Sequence, residues 1–227
     1  MKSDPISPQG RHTITIGDIT LIMETPPDLD ALLDQAAERD PQAVDAIPYY
    51  AILWPAAHGL AHYLWQHRDC VSGRRVIELG CGLGLPSVLA AHLGAHVLAT
   101  DFHPDTGPWL RHNAALNHLT LDYQKLDWNV VLAPPASEPR LPIDGHPQPT
   151  LPIPADLVIG SDLLYERRHI PALVCVIDTL CVRGGHAVIA DPGRDHLPLF
   201  VSTMEKYGWH HTLDPFNDIF VCRFDRT

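Results

Sequence analysis

Seven residues, Glu78-Leu79-Gly80-Cys81-Gly82-Leu83-Gly84, carry the densest chemical signal in the chain. Glycines at alternate positions let a backbone approach a ligand without a Cβ in the way. Loops of this kind hold nucleotide cofactors, and their register separates two main classes. A dinucleotide fingerprint needs GxGxxG, yet counting from Gly80 and Gly82 puts Leu85 at the third position, where helix and sheet must pack closely. An acidic residue two before the first glycine, followed by GxGxG, suits a cofactor that lacks a pyrophosphate and carries a cationic amino-acid tail. Glu78 is then expected to help hold that tail through its ammonium, with Gly80, Gly82 and Gly84 shaping the loop. Asp101, 17 residues beyond Gly84, is placed to accept hydrogen bonds from both ribose hydroxyls. Asp127 and Trp128 suit an adenine, the carboxylate or backbone reading its amino edge and the indole packing on its face.

These residues have to be delivered by regular elements. Arg75 to Leu79 reads as a short strand, Gly80 to Gly84 as a loop, Pro86 to Leu93 as a helix and His96 to Thr100 as a second strand, which together make a right-handed βαβ unit on a parallel sheet. The alternation continues with a helix from about Pro108 to Asn117, strands at Tyr123 to Leu126 and Ala155 to Gly160, and a helix from Ile170 to Cys181. A turn at Gly184-Gly185 leads to a strand from His186 to Ala190, and a closing strand alternates from Ile219 to Phe224. Strand after strand ends in a polar residue, at the edge where an open parallel sheet binds its ligands. Ahead of this unit, Trp54-Pro55 opens a helix carrying Leu60, Tyr63 and Leu64. Further upstream, Ile14, Ile16, Ile19 and Leu21 around Gly17-Asp18 form a hairpin, and Asp28 caps a helix from Leu29 to about Arg39 that Pro41 stops. Residues 1–48 are thus an N-terminal extension and 49–227 one domain. Eight prolines between Ala133 and Pro154 break regular structure and mark an inserted surface loop.

Composition bounds the rest. With 227 residues, 45% of them apolar, the chain has one sizeable core. No signal peptide, transit peptide or membrane span is readable, and a cytoplasmic protein is expected. Its five cysteines sit singly in apolar stretches and read as reduced core residues. His58 and His62 lie one helical turn apart, but Gly59, Leu60 and Ala61 between them supply no general base, so no metal site is expected. A formal charge of -11 disfavours nucleic acid and suits a basic partner, although acidity for solubility alone explains the same number.

From Tyr49 to the C-terminus the chain resembles the class I, seven-stranded S-adenosylmethionine-dependent methyltransferases. More narrowly it is similar to methyltransferase family 16, which contains many protein-lysine methyltransferases. The resemblance is carried by ILWPAAHGLAHYL (Ile52 to Leu64), ELGCGLGLPSVLAAHLGAHVLATD (Glu78 to Asp101), LDW (Leu126 to Trp128) and SDLLY (Ser161 to Tyr165). It implies an α/β, Rossmann-like fold whose seven-stranded, mostly parallel sheet has helices on both faces, beside the N-terminal hairpin and helix. It implies S-adenosyl-L-methionine as cofactor and Trp54 as a contact to it, where the residue pattern alone also allows an aromatic packed in the core. Ser161 joins the expected cofactor-binding set. Asp162 and Tyr165 match the D-x-x-Y motif that follows the fourth strand in the lysine methyltransferases, which implies that Asp162 orients the acceptor amine and Tyr165 walls its slot. The string DPGR, Asp191 to Arg194, resembles the branch that methylates the electron transfer flavoprotein β-subunit, while the proline-rich insertion departs from that pattern.

The expected acceptor is a protein lysine. A small amine or heterocycle remains an alternative, as does a noncatalytic binding module on the same fold. No Asn/Asp-Pro-Pro-Tyr/Phe string follows the fourth strand, which demotes planar amides and nucleobases as acceptors.

Overall fold

The computed structural model describes residues 10–39, 48–128 and 151–226. Pro41 and the proline-rich stretch up to residue 150 lie outside them. Seven strands form the main sheet: β3 (Arg75–Leu79), β4 (His96–Asp101), β5 (Asp122–Lys125), β6 (Ala155–Ser161), β7 (Cys181–Asp191), β8 (Trp209–Phe216) and β9 (Ile219–Arg226). Their order is β5-β4-β3-β6-β7-β9-β8. The pairs from β5 through β7 are parallel, whereas β9 runs antiparallel to both β7 and β8. The sheet agrees with the seven-stranded, mostly parallel arrangement implied by the resemblance.

Alternation along each strand builds two cores. Val76, Val188 and Val221 face one side, with α2 (Pro55–Gln66), α3 (Leu85–His92) and α4 (Thr106–Leu116), through Leu60, Val88 and Leu110. Their chain neighbours Ile77, Ile189 and Cys222 face the other, with α5 (Ile170–Leu180) and α6 (Leu197–Lys206), through Leu173, Phe200 and Met204. Central strands covered on both faces bury nearly every residue, which is why β3 and β6 read as apolar runs in the sequence.

The upstream hairpin, β1 (Gly10–Ile16) and β2 (Ile19–Thr25), puts Ile16, Leu21 and Met23 into the first of these cores. Its open edge is satisfied by α4. Asn117 exchanges hydrogen bonds with the backbone of Ile22 (2.8 and 2.7 Å), and Asn113 does the same with Glu24 (2.7 and 3.1 Å). Two amides four residues apart on a helix thus act as a surrogate strand. Asp28 caps α1 (Leu29–Arg39) by accepting from the Ala31 N–H at 2.8 Å, as its side chain suggests.

One expectation needs correction, and two elements have no counterpart in the sequence reading. Gly184-Gly185 is no turn between a helix and a strand: β7 begins at Cys181 and runs through both glycines, with a register shift against β6 between Ala155 and Leu157. A glycine pair inside a strand marks an irregularity in the ladder as readily as its end. Helix α6 and strand β8 were not anticipated. β8 is an edge strand exposed along most of its length, so it lacks the in-out alternation that would announce it.

Candidate active site

The strand order reverses between β3 and β6, which are hydrogen-bonded neighbours although 75 residues of chain leave on one side before returning on the other. At such a switch point the loops leaving the carboxyl ends diverge and open a crevice. Here it is a cleft of about 1010 Å³, counting the part open to solvent.

Every strand from β3 to β6 contributes a wall. Gly80 and Gly82, both at positive φ (61° and 50°), form the floor after β3. A Cβ on Gly80 would meet the Leu163 side chain at 2.6 Å, and one on Gly82 would lie 3.4 Å from the Tyr50 carbonyl oxygen. The backbone therefore approaches its neighbours as closely as a glycine allows. Asp101 ends β4, its Oδ2 accepting from the Gly82 N–H (3.0 Å) and its Oδ1 from the His103 N–H (2.9 Å). Burial pushes the Asp101 carboxyl up, and those two amides pull it back towards its ionised form. Leu126, Asp127 and Trp128 follow β5; Ser161, Asp162, Leu163 and Tyr165 follow β6.

The remaining wall comes from the segment before α2. Trp54 stands at the cap position of that helix, with Pro55 opening its first turn, and its indole N–H donates to the Tyr49 carbonyl at 2.9 Å. Tyr49 continues a file of rings around the mouth: 6.2 Å to Trp54, 5.8 Å to Tyr165, then 5.7 Å from Tyr165 to His169 and 6.4 Å from His169 to Trp128 between centroids. On the inner side the Tyr50 ring lies 4.5 Å from that of His103.

Asp162 is bound from several directions. Its backbone is left-handed (φ 60°), an uncommon state for a residue with a Cβ that often marks functional sites, and its N–H donates to the Ala190 carbonyl at 3.0 Å. Its Oδ2 accepts from the Ala56 N–H in the first turn of α2 at 3.1 Å, and its Oδ1 lies 2.7 Å from Arg194 Nη2. Burial pushes its carboxyl up, against the opposing pull of the Arg194 guanidinium. Asp162 is a helix cap, then, but for a helix far upstream and not for the one that follows it.

Of the expected site residues, the structure brings Trp54, Gly80, Gly82, Asp101, Asp127, Trp128, Ser161, Asp162 and Tyr165 to this cleft. Glu78 and Gly84 do not line it. Glu78 is fully buried under the loop, where its Oε2 accepts a hydrogen bond from the Ser87 hydroxyl, and burial raises its carboxyl to about 8. It stands at the last but one position of a strand covered on both faces, and its other carboxylate oxygen, Oε1, is buried without a hydrogen-bond partner among the described residues. Gly84 serves packing: it starts α3 at φ 84°, and a Cβ there would meet Leu110 of α4 at 2.2 Å. Sequence reasoning missed Tyr49, Tyr50, His103 and His169 as lining residues, and Arg194 as the partner of Asp162. Tyr49-Tyr50 directly precedes the WP segment, and that adjacency was the available signal. His62 stacks on Phe216, 4.4 Å between centroids, and among the described residues no group of three or more His, Cys, Asp or Glu could hold a metal.

Residues 49–198 match the family described as lysine methyltransferase, methyltransferase family 16. The electron transfer flavoprotein beta subunit lysine methyltransferase of Xenopus laevis is 42% identical over 151 residues, 65% of this chain and 53% of that protein. The histone-arginine methyltransferase METTL23 of Mus musculus is 30% identical over 142 residues, 61% of this chain and 50% of that protein. The chain spans about half the length of the curated relatives it matches. Among solved structures, the T. thermophilus 16S rRNA N2 methyltransferase RsmC, in complex with AdoMet and guanosine, superposes with a TM-score of 0.64 at 17% identity, covering 96% of this chain and 50% of that one. That likeness concerns the fold alone.

Proposed function

The chain belongs to the lysine methyltransferase family, methyltransferase family 16, and from that premise we propose that it transfers a methyl group from S-adenosylmethionine to a lysine side chain of a protein substrate. The observation that carries this reading is the convergence of Asp101, at the end of β4, and Asp162 with Tyr165, after β6, on one cleft at the switch point of the sheet.

The donor set fits that cofactor. Asp101 is braced by two backbone N–H groups on one side and borders the cleft, as an acceptor for a pair of ribose hydroxyls requires. Gly80 and Gly82 leave bare backbone for the tail. Trp128 offers an indole face and Asp127 an acceptor for adenine, while Trp54 and Ser161 close the opposite wall. When bound, S-adenosylmethionine supplies a methyl carbon made electrophilic by a positively charged sulfur.

The protein's task is then to hold a neutral nucleophile in line and at close range. A lysine amine, with an ordinary pKa near 10.4, must lose a proton before it attacks. The aromatic mouth of Tyr49, Tyr165 and His169 sheds water from the entering side chain, which favours the neutral amine. Asp162 orients it by accepting a hydrogen bond, and Tyr165 walls the slot.

Two observations support a protein acceptor over a small metabolite. No residue of the hairpin spanning 10–25 lines the cleft, so that part of the N-terminal extension forms no lid over it. Both relatives named above carry protein acceptors in their names, and the lysine-modifying one is the more similar of the two, at 42% against 30%. A cytoplasmic setting is supported by five unpaired cysteines, as expected in a reducing compartment, and no described helix is long and apolar enough to cross a membrane. The formal charge of -11 supports a basic protein partner over nucleic acid.

Incubation with labelled S-adenosylmethionine, recombinant electron transfer flavoprotein β-subunit and a lysate from cells lacking the enzyme, followed by mass spectrometry, tests the reading. Methylated lysine in a protein is the expected result. Label confined to arginine or to small molecules would overturn the acceptor assignment.

A further inference from the structure

Asp162 and Asp191 follow or end adjacent parallel strands, β6 and β7, and both are buried. Arg194 reaches between them, with Nη2 2.7 Å from Asp162 Oδ1 and Nη1 2.9 Å from Asp191 Oδ2. The root of that side chain is fixed as well, since Asp191 Oδ1 accepts from the N–H groups of Gly193 (2.8 Å) and Arg194 (2.7 Å). A planar guanidinium anchored by its own turn and by two carboxylates has little freedom left to lose. Asp162 spends Oδ2 on the Ala56 N–H of α2. A carboxylate has about four lone-pair sites, so these two contacts leave capacity for an amine in the cleft that Asp162 borders. The charged groups acting on it are Asp191, at the end of β7, and Arg194, in the turn that follows, while α2 faces it with a backbone N–H.

Building on the amine-acceptor reading, we propose that Arg194 is a positioning residue for methyl transfer: by bridging Asp162 and Asp191 it keeps the Asp162 carboxylate ionised and fixed at the cleft, and shares its charge so that the acceptor ammonium can lose its proton beside it. Two buried carboxylates without a cation favour protonation of one of them. An ionised Asp162 freed of Arg194 would instead grip the ammonium more tightly. By either route, the variant without Arg194 needs a higher pH to work.

Two measurements test this. The first is the titration of the Asp162 side-chain carboxyl by carbon-13 NMR, assigned by its loss in Asp162→Asn, in the wild type and in Arg194→Met. The second is the pH dependence of kcat/KM for methyl transfer to recombinant electron transfer flavoprotein β-subunit. In Arg194→Met the Asp162 midpoint is expected to rise by about one pH unit, a tenfold change in proton affinity, and the acidic limb of kcat/KM to move up with it. Arg194→Lys, which keeps the charge without the fork, should leave the limb in place and lower kcat. Arg194→Gln replaces the methionine variant if that one does not fold. An unchanged midpoint, or a rate loss equal at every pH, overturns the proposal, the latter being what a purely structural role produces. Should the midpoint move while the wild type methylates no lysine of that acceptor, the substrate reading fails and the hold of Arg194 on Asp162 stands.

Discussion

Asp162 accepts a hydrogen bond at 3.1 Å from the backbone N–H of Ala56, a residue 106 positions earlier in the chain. One carboxylate thereby ties the end of β6 to the first turn of α2, and with it the strand edge that borders the cleft to the helix that follows Trp54.

Removing that carboxylate should therefore cost stability as well as activity. Asp162→Ala leaves the Ala56 N–H without an acceptor and Arg194 with one carboxylate, an expected loss of about 2–4 kcal/mol. Asp162→Asn keeps an acceptor for α2 and should lose roughly half as much, while both variants lower turnover. Urea titrations of the three proteins check the order, and an Asp162→Ala midpoint equal to that of the wild type would contradict it.

Asp101 should govern cofactor affinity. Asp101→Ala removes the proposed ribose acceptor and releases the N–H groups of Gly82 and His103 that now converge on it. The expected result in calorimetry is binding of S-adenosylhomocysteine weakened about 100-fold, the worth of two charge-assisted hydrogen bonds. Normal binding would show that the cofactor lies elsewhere in the cleft.

Glu78 makes stability depend on pH. Its carboxyl is raised by burial from an ordinary 4.5 to about 8 in the folded state. Between those values the folded chain holds a proton that the unfolded chain has released, so this contribution is full below about 4.5 and is lost as pH rises through 8. Glu78→Gln, which cannot ionise and can still accept from Ser87, should flatten the fall in Tm between pH 5 and 9. Parallel curves for the two proteins would refute the assignment.

Asn113 is fully buried and joins three parts of the fold, donating to the Leu83 carbonyl in the glycine loop (3.1 Å) while holding both backbone groups of Glu24. Asn113→Ala should destabilise the protein by about 2–3 kcal/mol through unsatisfied backbone groups, and should make the hairpin accessible to protease before the sheet unfolds. Limited proteolysis with mass mapping reads that order.

Much of this was legible in the residues themselves. Alternating glycines after an apolar strand, and a polar residue at each strand end, are local patterns, so the loop, Asp101 and the β6 edge fall where spacing puts them. The burial of Glu78 was not legible because spacing reports its position along β3 and not the cover on both faces of that strand. Arg194 was invisible as a partner of Asp162 because 32 residues and a whole βαβ crossover separate them. Tyr49 and His169 meet at the mouth through Tyr165, and no sequence spacing encodes that meeting. β8 escaped notice because a solvated edge leaves no periodic trace.

The cap on α2 also has a bearing on how the protein is made. The glycine loop and Asp101 leave the ribosome well before Ser161 and Asp162, and the DPGR turn follows later still. Until those late segments arrive, the first turn of α2 has no partner for the Ala56 N–H and the cleft lacks the wall that follows β6. Contacts this distant in sequence form slowly, since a long stretch of chain must be closed before they repay the cost. A nascent chain stalled before β6 would display the glycine loop without Asp162 and Tyr165, so the cleft is completed only once β6 and the turn after β7 have been made.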